Sequence, residues 1–259
     1  MTTNKMPLNI CFDSNNTYEI GVDEAGRGPM FGRLYVGAVV LPKDAEQFDH
    51  TRMKDSKKFT SKKKIQEVSE YIKTDAIAWS VQYIEADVID QINIRQAVFR
   101  GMHACIKEII EKMIEKGINN DPFLLVDGND FKPYTIFSEN TGEIREIPSI
   151  TIEGGDNKYT AIAAASILAK VARDDYIANL CVQYPDLVSR YSIDKNMGYG
   201  TRAHLDGIRQ HGITQWHRQS YGLCKTSMVS HVLSKVLSSN SPQLENVLLP
   251  DSSDDSGPQ

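Results

Sequence analysis

The chain has 259 residues, 41% of them hydrophobic, with 29 Lys and Arg against 34 Asp and Glu for a formal net charge of −5. That length and apolar content suit one sizeable core with a smaller appended lobe, and no run reaches the roughly 18 uncharged apolar residues a membrane span needs. The start, Met1-Thr-Thr-Asn-Lys-Met-Pro7, lacks the apolar stretch of a secretory signal, and the four cysteines lie too far apart for a disulfide framework or a zinc site, so a reducing intracellular compartment is expected rather than secretion.

Residues 1–16 are polar and expected to be loosely held. Tyr18–Asp23 is a short apolar strand, and it runs into Asp23-Glu-Ala-Gly-Arg-Gly-Pro29: two adjacent carboxylates, then an arginine between glycines. Gly26 and Gly28 are expected to let the backbone adopt positive φ and approach a partner closely. Arg27 supplies a fork of donors suited to phosphate oxygens. The stretch reads equally as an acidic strand-turn or as one end of a metal-dependent phosphodiester site. Leu34–Leu41 is a second strand, stopped by Pro42. Arg52–Lys64 holds seven bases and one acid, either a solvated face or a local footprint for phosphate. Ser61 opens a helix to about Lys73, with Ile65, Val68 and Ile72 at helical spacing.

Ala76–Ile84 is a third strand. A long amphipathic helix follows from Ala86 to Lys116, broken near Asn93, with Val98, Met102, Cys105, Ile109 and Met113 as its apolar stripe and Gly117 as its C-cap. Phe123–Val126 is a compact strand ending at Asp127-Gly-Asn129. Residues 130–145 read as a loop or hairpin turning at Asn140-Thr-Gly142. Glu146–Glu153 is another strand, ending at Gly154-Gly-Asp156. Lys158–Gln183 is an alanine-rich helix whose small residues allow close packing on a sheet. Thr201–Gln210 and Ser227–Leu237 read as helices, and beyond Ser238 the chain is Ser/Asp/Pro-rich, acidic and expected to be disordered. Without residues 240–259, which carry four acids and no base, the body is nearly neutral.

Three strands thus end in carboxylates: Asp23-Glu24, Asp127 and Asp156. Neighbouring strands of one sheet bring such ends together. Several acids in one place repel unless a cation sits among them, and an oxygen-only set suits Mg²⁺ or Mn²⁺ rather than zinc. Paired hard cations activate water and stabilise the leaving oxygen in phosphodiester cleavage.

At this point the chain resembles ribonuclease HII, the type 2 ribonucleases H, closer to the bacterial branch. The resemblance runs from Tyr18 to Tyr221 through GVDEAGRGP at 21–29, DSKK at 55–58, VDGN at 126–129, AAASILAKVARD at 163–174, GYGTRAHL at 198–205 and HRQSY at 217–221. It implies an α/β, ribonuclease-H-like fold: a mixed sheet of five or more strands flanked by helices, with a helical C-terminal portion. The catalytic domain would span 17–237, between a flexible 1–16 and a disordered acidic tail at 238–259.

The implied activity is hydrolysis of RNA in RNA–DNA hybrids, and nicking of duplex DNA 5′ of a lone ribonucleotide, at a two-metal Mg²⁺ or Mn²⁺ site. By this resemblance Asp23, Glu24, Asp127 and Asp156 are the catalytic and metal-binding acids. Gly26, Arg27 and Gly28 read the ribose 2′-hydroxyl, Tyr199 packs on the sugar at the RNA-to-DNA junction, and Ser56, Lys57 and Lys58 lie near the substrate backbone. Asp174, eighteen residues past Asp156 along a helix, is assigned a supporting role, and His204, His211 and His217 surface or packing roles.

The chain departs from the family pattern in a longer 130–145 segment, a longer Pro185–Tyr199 segment, and Gly-Gly-Asp where the family has lysine-glycine-aspartate. A monomer acting on RNA–DNA hybrid or ribonucleotide-containing duplex is expected, in the cytoplasm or wherever DNA is replicated. Gln243–Leu249 resembles sliding-clamp peptides but lacks their terminal aromatic. Two alternatives stand beside this reading: a catalytic or nucleic-acid-binding subunit that needs partner chains, and another ribonuclease-H-fold nuclease of the resolvase or transposase type.

Overall fold

The computed structural model describes residues 7–138 and 142–230. Five strands form a mixed sheet: β1 (Glu19–Ala25), β2 (Leu34–Val40), β3 (Ala78–Ile84), β4 (Phe123–Asp127) and β7 (Ser149–Ile152), in the order β3-β2-β1-β4-β7. β1, β2 and β3 pair antiparallel; β4 and β7 extend the sheet in parallel from β1. A two-stranded hairpin, β5 (Thr135–Ser138) and β6 (Glu143–Glu146), occupies the 130–145 segment. Its loose alternative is thereby excluded.

Helices cover both faces of the sheet. On one lie α2 (Ala86–Ile92) and α3 (Ile94–Glu115). They are separated at Asn93, which takes a positive φ of 65° while its side chain accepts from the Gln96 amide to cap α3. Every residue of the expected stripe, Val98 to Met113, is buried against Ile20, Val22, Leu124 and Val126. On the other face lie α1 (Lys62–Asp75), capped by Ser61, and the central helix α4 (Thr160–Gln183). There Ala161 and Ala163 to Ala165 pack with Val39, Ile65 and Ile72.

The contact between α4 and the sheet is unusually close. A Cβ on Gly21 would fall 2.2 Å from the Ala161 carbonyl carbon, and one on Gly37 2.4 Å from the Ala165 carbonyl oxygen. Backbone meets backbone there, which only glycine permits. Because side chains alternate along β1, Asp23 lies on the same face as Gly21 and is carried against α4.

The C-terminal portion is helical: α5 (Asp186–Tyr191), α6 (Ile193–Asn196) and α7 (Arg202–His211). It builds a separate core from Phe31, Ile177, Leu187, Tyr191, Ile208 and Ile213. Among the described residues no helix is long and apolar enough to cross a membrane, and all four cysteines are free thiols.

Three local expectations need correcting. Glu146–Glu153 is not one strand. Pro148 has no N–H for a ladder and divides it, giving Glu146 to the hairpin and Ser149–Ile152 to the sheet. The helix expected from Ser227 does not begin there: Val229 bridges Ile213 in parallel, and Ile213 donates to the Met228 carbonyl at 2.9 Å. These backbone groups already have extended partners. The remainder of that segment, like the acidic tail and its clamp-like peptide, lies outside the described residues. Residues 9–16, finally, are tied down: the Phe12 and Asp13 amides donate to the buried Glu19 carboxylate at 2.9 Å, and Phe12 stacks on Phe123.

Candidate active site

Register places the acids. Val22 of β1 pairs with Val126 of β4, and Asp127 of β4 pairs with Ile152 of β7. Asp23 and Asp127 therefore sit one step past a matched pair on adjacent parallel strands. Asp156 follows β7 after a tight turn through Gly154, whose φ is +61°. The C-terminal ends of three neighbouring strands carry the three acids, as the strand ends in the sequence suggested.

Asp23, Glu24 and Asp127 line one open cavity of about 500 Å³ together with Gly26, Arg27, Gly28, Ser56, Lys57 and Tyr199. Each carboxylate is oriented locally. Asp23 Oδ1 accepts from the Glu24 amide at 2.7 Å, and Asp127 Oδ1 from the Gly155 amide at 2.6 Å. Burial raises the Asp23 pKa well above the ordinary carboxylate value, and the charges of Glu24 and Asp127 add to it; a hydrogen bond with Ser166 opposes. Burial also raises Glu24, against the pull of Arg27 at 3.6 Å, with Asp127 raising it further.

Asp156 behaves differently. It is buried at the same sheet edge and raised by desolvation and by Asp55 and Asp127, but it is not among the residues lining the cavity. Its Oδ1 accepts from Asn157 at 3.0 Å.

The turn and the tyrosine come together as expected, with one correction. Gly26 has φ +96°, and a Cβ there would meet Arg173 Nε at 2.4 Å. Gly28 does not adopt positive φ. The ring of Tyr199 stands opposite it, with Cε1 3.6 Å from where a Cβ would be, an ordinary contact distance. Ser56 is buried and bonds Ser166 at 3.0 Å, and Lys57 faces the cavity. Lys58 does not; it turns to Asp55 and Asn157.

Several residues with no assigned role belong to the same cavity. Lys170, Arg173 and Lys195 join Arg27 and Lys57, so cationic side chains share the cavity with the acids. Asp174 is paired with Lys170 at 2.8 Å, and its Oδ1 is buried with no hydrogen-bond partner. Arg218, fully buried, donates to the carbonyls of Gly26, Arg27 and Gly32 and so holds the glycine turn from behind. Lys170, Arg173 and Asp174 were present in AAASILAKVARD and Arg218 in HRQSY, but their direction was not readable from type. Lys195 lies in the lengthened Pro185–Tyr199 segment, where family wording gave no guide. His204 and His217 are buried and hydrogen-bonded to each other; no His/Cys set among the described residues suits a metal.

The donor set fits a hard divalent cation in its chemistry. Its members are carboxylates alone, three of them raised by burial and by neighbouring acids, and a cation among them would relieve that cost. Among the described residues no three such side chains converge tightly enough to cage an ion as they stand.

Comparison with known proteins agrees with this fold. Residues 20–224 match the family model described as Ribonuclease HII. The Ribonuclease HII of Parabacteroides distasonis is 40% identical over 205 residues, covering 79% of this chain and 90% of the relative. The crystal structure of the ribonuclease H2 from Pyrococcus horikoshii superposes with a TM-score of 0.60 at 22% identity, over 81% of this chain and 96% of that one. Bst-RNase HIII in complex with Mn²⁺ superposes with a TM-score of 0.51 at 14% identity, over 74% and 70% of the two chains.

Proposed function

We propose, from the premise that this chain belongs to the ribonuclease HII family and is therefore a ribonuclease H acting on RNA–DNA substrates, that it cuts on the 5′ side of a single ribonucleotide embedded in duplex DNA as well as within hybrids. The observation that carries this reading is the meeting of Asp23, Glu24 and Asp127 with the Gly26–Gly28 turn and the Tyr199 ring around one cavity. Enzymes of this family depend on divalent metal, and Mg²⁺ or Mn²⁺, two ions in the fullest form, would supply activation of the attacking water and stabilisation of the leaving oxygen.

Asp23, Glu24 and Asp127 would hold the cations, with Asp156 completing the set from the β7 end. The backbone of Gly26-Arg27-Gly28 reads the ribose 2′-hydroxyl, the group that separates RNA from DNA at one sugar. A buried polar group left unpaired by its absence costs about 1–3 kcal/mol. Tyr199 packs on the following sugar, where an added hydroxyl crowds its ring. Arg27, Lys57, Lys170 and Lys195 face the phosphates, and Ser56 steadies the wall through Ser166. The enzyme would work in the cytoplasm or wherever DNA is replicated. The single chain carries the whole site, so activity without partner chains is expected.

The test is cleavage by the purified chain of a one-ribonucleotide duplex and a uniform RNA–DNA hybrid, with Mg²⁺, with Mn²⁺ and with chelator. Metal-dependent cuts 5′ of the lone ribonucleotide support the reading. Cleavage of the hybrid alone would remove the junction role, and activity only after adding cell extract would favour a partner-dependent subunit.

A further inference from the structure

Behind Tyr199 lies a chain of hydrogen bonds that the scheme above does not use. His204 and His217 are 0% and 2% exposed, and their Nε2 atoms are 3.0 Å apart. The outer nitrogen of each ring has a partner that settles its protonation. His204 Nδ1 is 2.9 Å from the Tyr199 carbonyl, which only accepts, so Nδ1 carries a proton. His217 Nδ1 is 2.9 Å from the Thr214 amide, which only donates, so that nitrogen is bare. The Thr214 hydroxyl lies 2.8 Å from the same atom.

For two neutral rings the shared bond then has one direction: His217 Nε2–H donates to His204 Nε2. The whole chain is polarised from Thr214 through His217 and His204 to Tyr199, with all four ring nitrogens satisfied. Burial favours the neutral rings, and His217 is held down to about 3. The pair is walled by Phe31 and Tyr191, both edge-on or tilted to the imidazoles.

The chain also ties two substrate-reading elements together. Phe31 bridges His217, and Met30 donates to the Gly198 carbonyl at 2.9 Å. Both follow directly on the Gly26–Gly28 turn. Tyr199 is half exposed and has no side-chain hydrogen bond of its own among the described contacts, so its backbone anchorage sets where the ring stands. Neither histidine lines the cavity.

We propose that His204 and His217 are positioning residues that fix the Tyr199 ring against Gly28, and so set how strongly the enzyme prefers a ribose–deoxyribose junction. This rests on the reading of Tyr199 given above. The tautomer chain holds the Tyr199 carbonyl from one side while the Thr201 amide holds it from the other at 2.8 Å. A loosened carbonyl lets the ring rock away from the sugar, and small displacements from attack geometry cost rate more than binding.

His217→Asn tests it, because the amide oxygen can still accept from Thr214 but cannot reach His204. The expected result is a kcat on the one-ribonucleotide duplex lowered roughly tenfold, with KM little changed and the uniform hybrid less affected. The junction-to-hybrid ratio of His217→Asn/Tyr199→Ala should equal that of Tyr199→Ala alone, since the group being positioned is gone. An unchanged ratio in His217→Asn, or independent effects of the two substitutions, would overturn the proposal. Tyr199→Ala with a wild-type ratio would instead sink the reading of Tyr199, and this inference with it. If His217→Asn does not fold, imidazole ¹⁵N shifts of the wild-type protein decide. His217 protonated at Nε2 and His204 at Nδ1 at neutral pH are expected, and an imidazolium or the reverse tautomers would break the chain.

Discussion

At the scale of single residues, the acids are held at a cost that a cation or a mutation removes. Asp23 has a folded pKa above its unfolded value, so the folded state binds the extra proton between the two. Its contribution to stability is therefore present below the ordinary carboxylate value and lost as pH rises through the raised one. Above the ordinary carboxylate value the group therefore costs the metal-free fold stability. Asp23→Asn should then leave the metal-free melting temperature equal or higher while abolishing cleavage. Thermal melts with chelator, beside a cleavage assay, check both halves. His217 works with the opposite sign: its folded value of about 3 lies below the unfolded one. Its contribution is complete above the ordinary histidine value and fades as pH falls toward 3. Melts across that window should lose their acid limb in part in a folded His217→Asn protein, and an unchanged limb would mean other groups dominate it.

The fourth acid is the residue on which sequence and geometry pull apart. Resemblance selects Asp156, which the fold buries at the right sheet edge yet outside the cavity lining. Asp174, assigned a supporting role, does line the cavity, paired with Lys170 and with one oxygen unpartnered. The account expects Asp156→Asn to be severe and Asp174→Asn mild in metal-dependent cleavage. The reverse order would exchange their roles.

Among the elements, α4 with β1 and β2 does most to place the site, through contacts at Gly21 and Gly37 with no side chain in them. Gly37→Ala would push a methyl to 2.4 Å from the Ala165 carbonyl, and backbone on both sides cannot step aside. A loss of about 1–3 kcal/mol or more in urea unfolding is expected, with Ser166 and its bond to Asp23 displaced as well. A neutral Gly37→Ala would show that the helix rides further from the sheet. This closeness was legible in part, since the alanine run announced small residues facing a sheet. The glycines that receive it were not, because Gly21 and Gly37 look like ordinary strand interruptions until helix and strand are docked. The same limit applied at Pro148 and Val229. Local apolar patterns there suited a longer strand and a helix, but a missing donor in one case and an extended partner, Ile213, in the other took precedence.

Across the whole molecule, the strand ends were legible because each carried its carboxylate in a glycine-rich turn, and parallel pairing of β1, β4 and β7 is what gathers them. What could not be read was the opposite wall. Lys195 lies in α6, the buried Arg218 packs back onto the β1 turn, a contact nearly two hundred residues apart in sequence, and Arg173 of α4 donates to the Met197 carbonyl of that same C-terminal portion. That arrangement gathers cationic side chains round one cavity in a chain of formal charge −5. The salt dependence of substrate binding should accordingly weaken when Lys195 or Lys170 is replaced by alanine, and an unaltered salt slope in both variants would place the phosphate path elsewhere.

The central claim is that carboxylates at the ends of adjacent strands carry out metal-dependent cleavage. It is met most directly by the rate at which Asp127→Asn, shown folded by its melt, cuts a one-ribonucleotide duplex at saturating Mn²⁺. A fall of roughly 10²–10³-fold or more is predicted, because the middle carboxylate between Asp23 and Asp156 is lost. A folded Asp127→Asn protein that cuts at the wild-type rate would contradict the account.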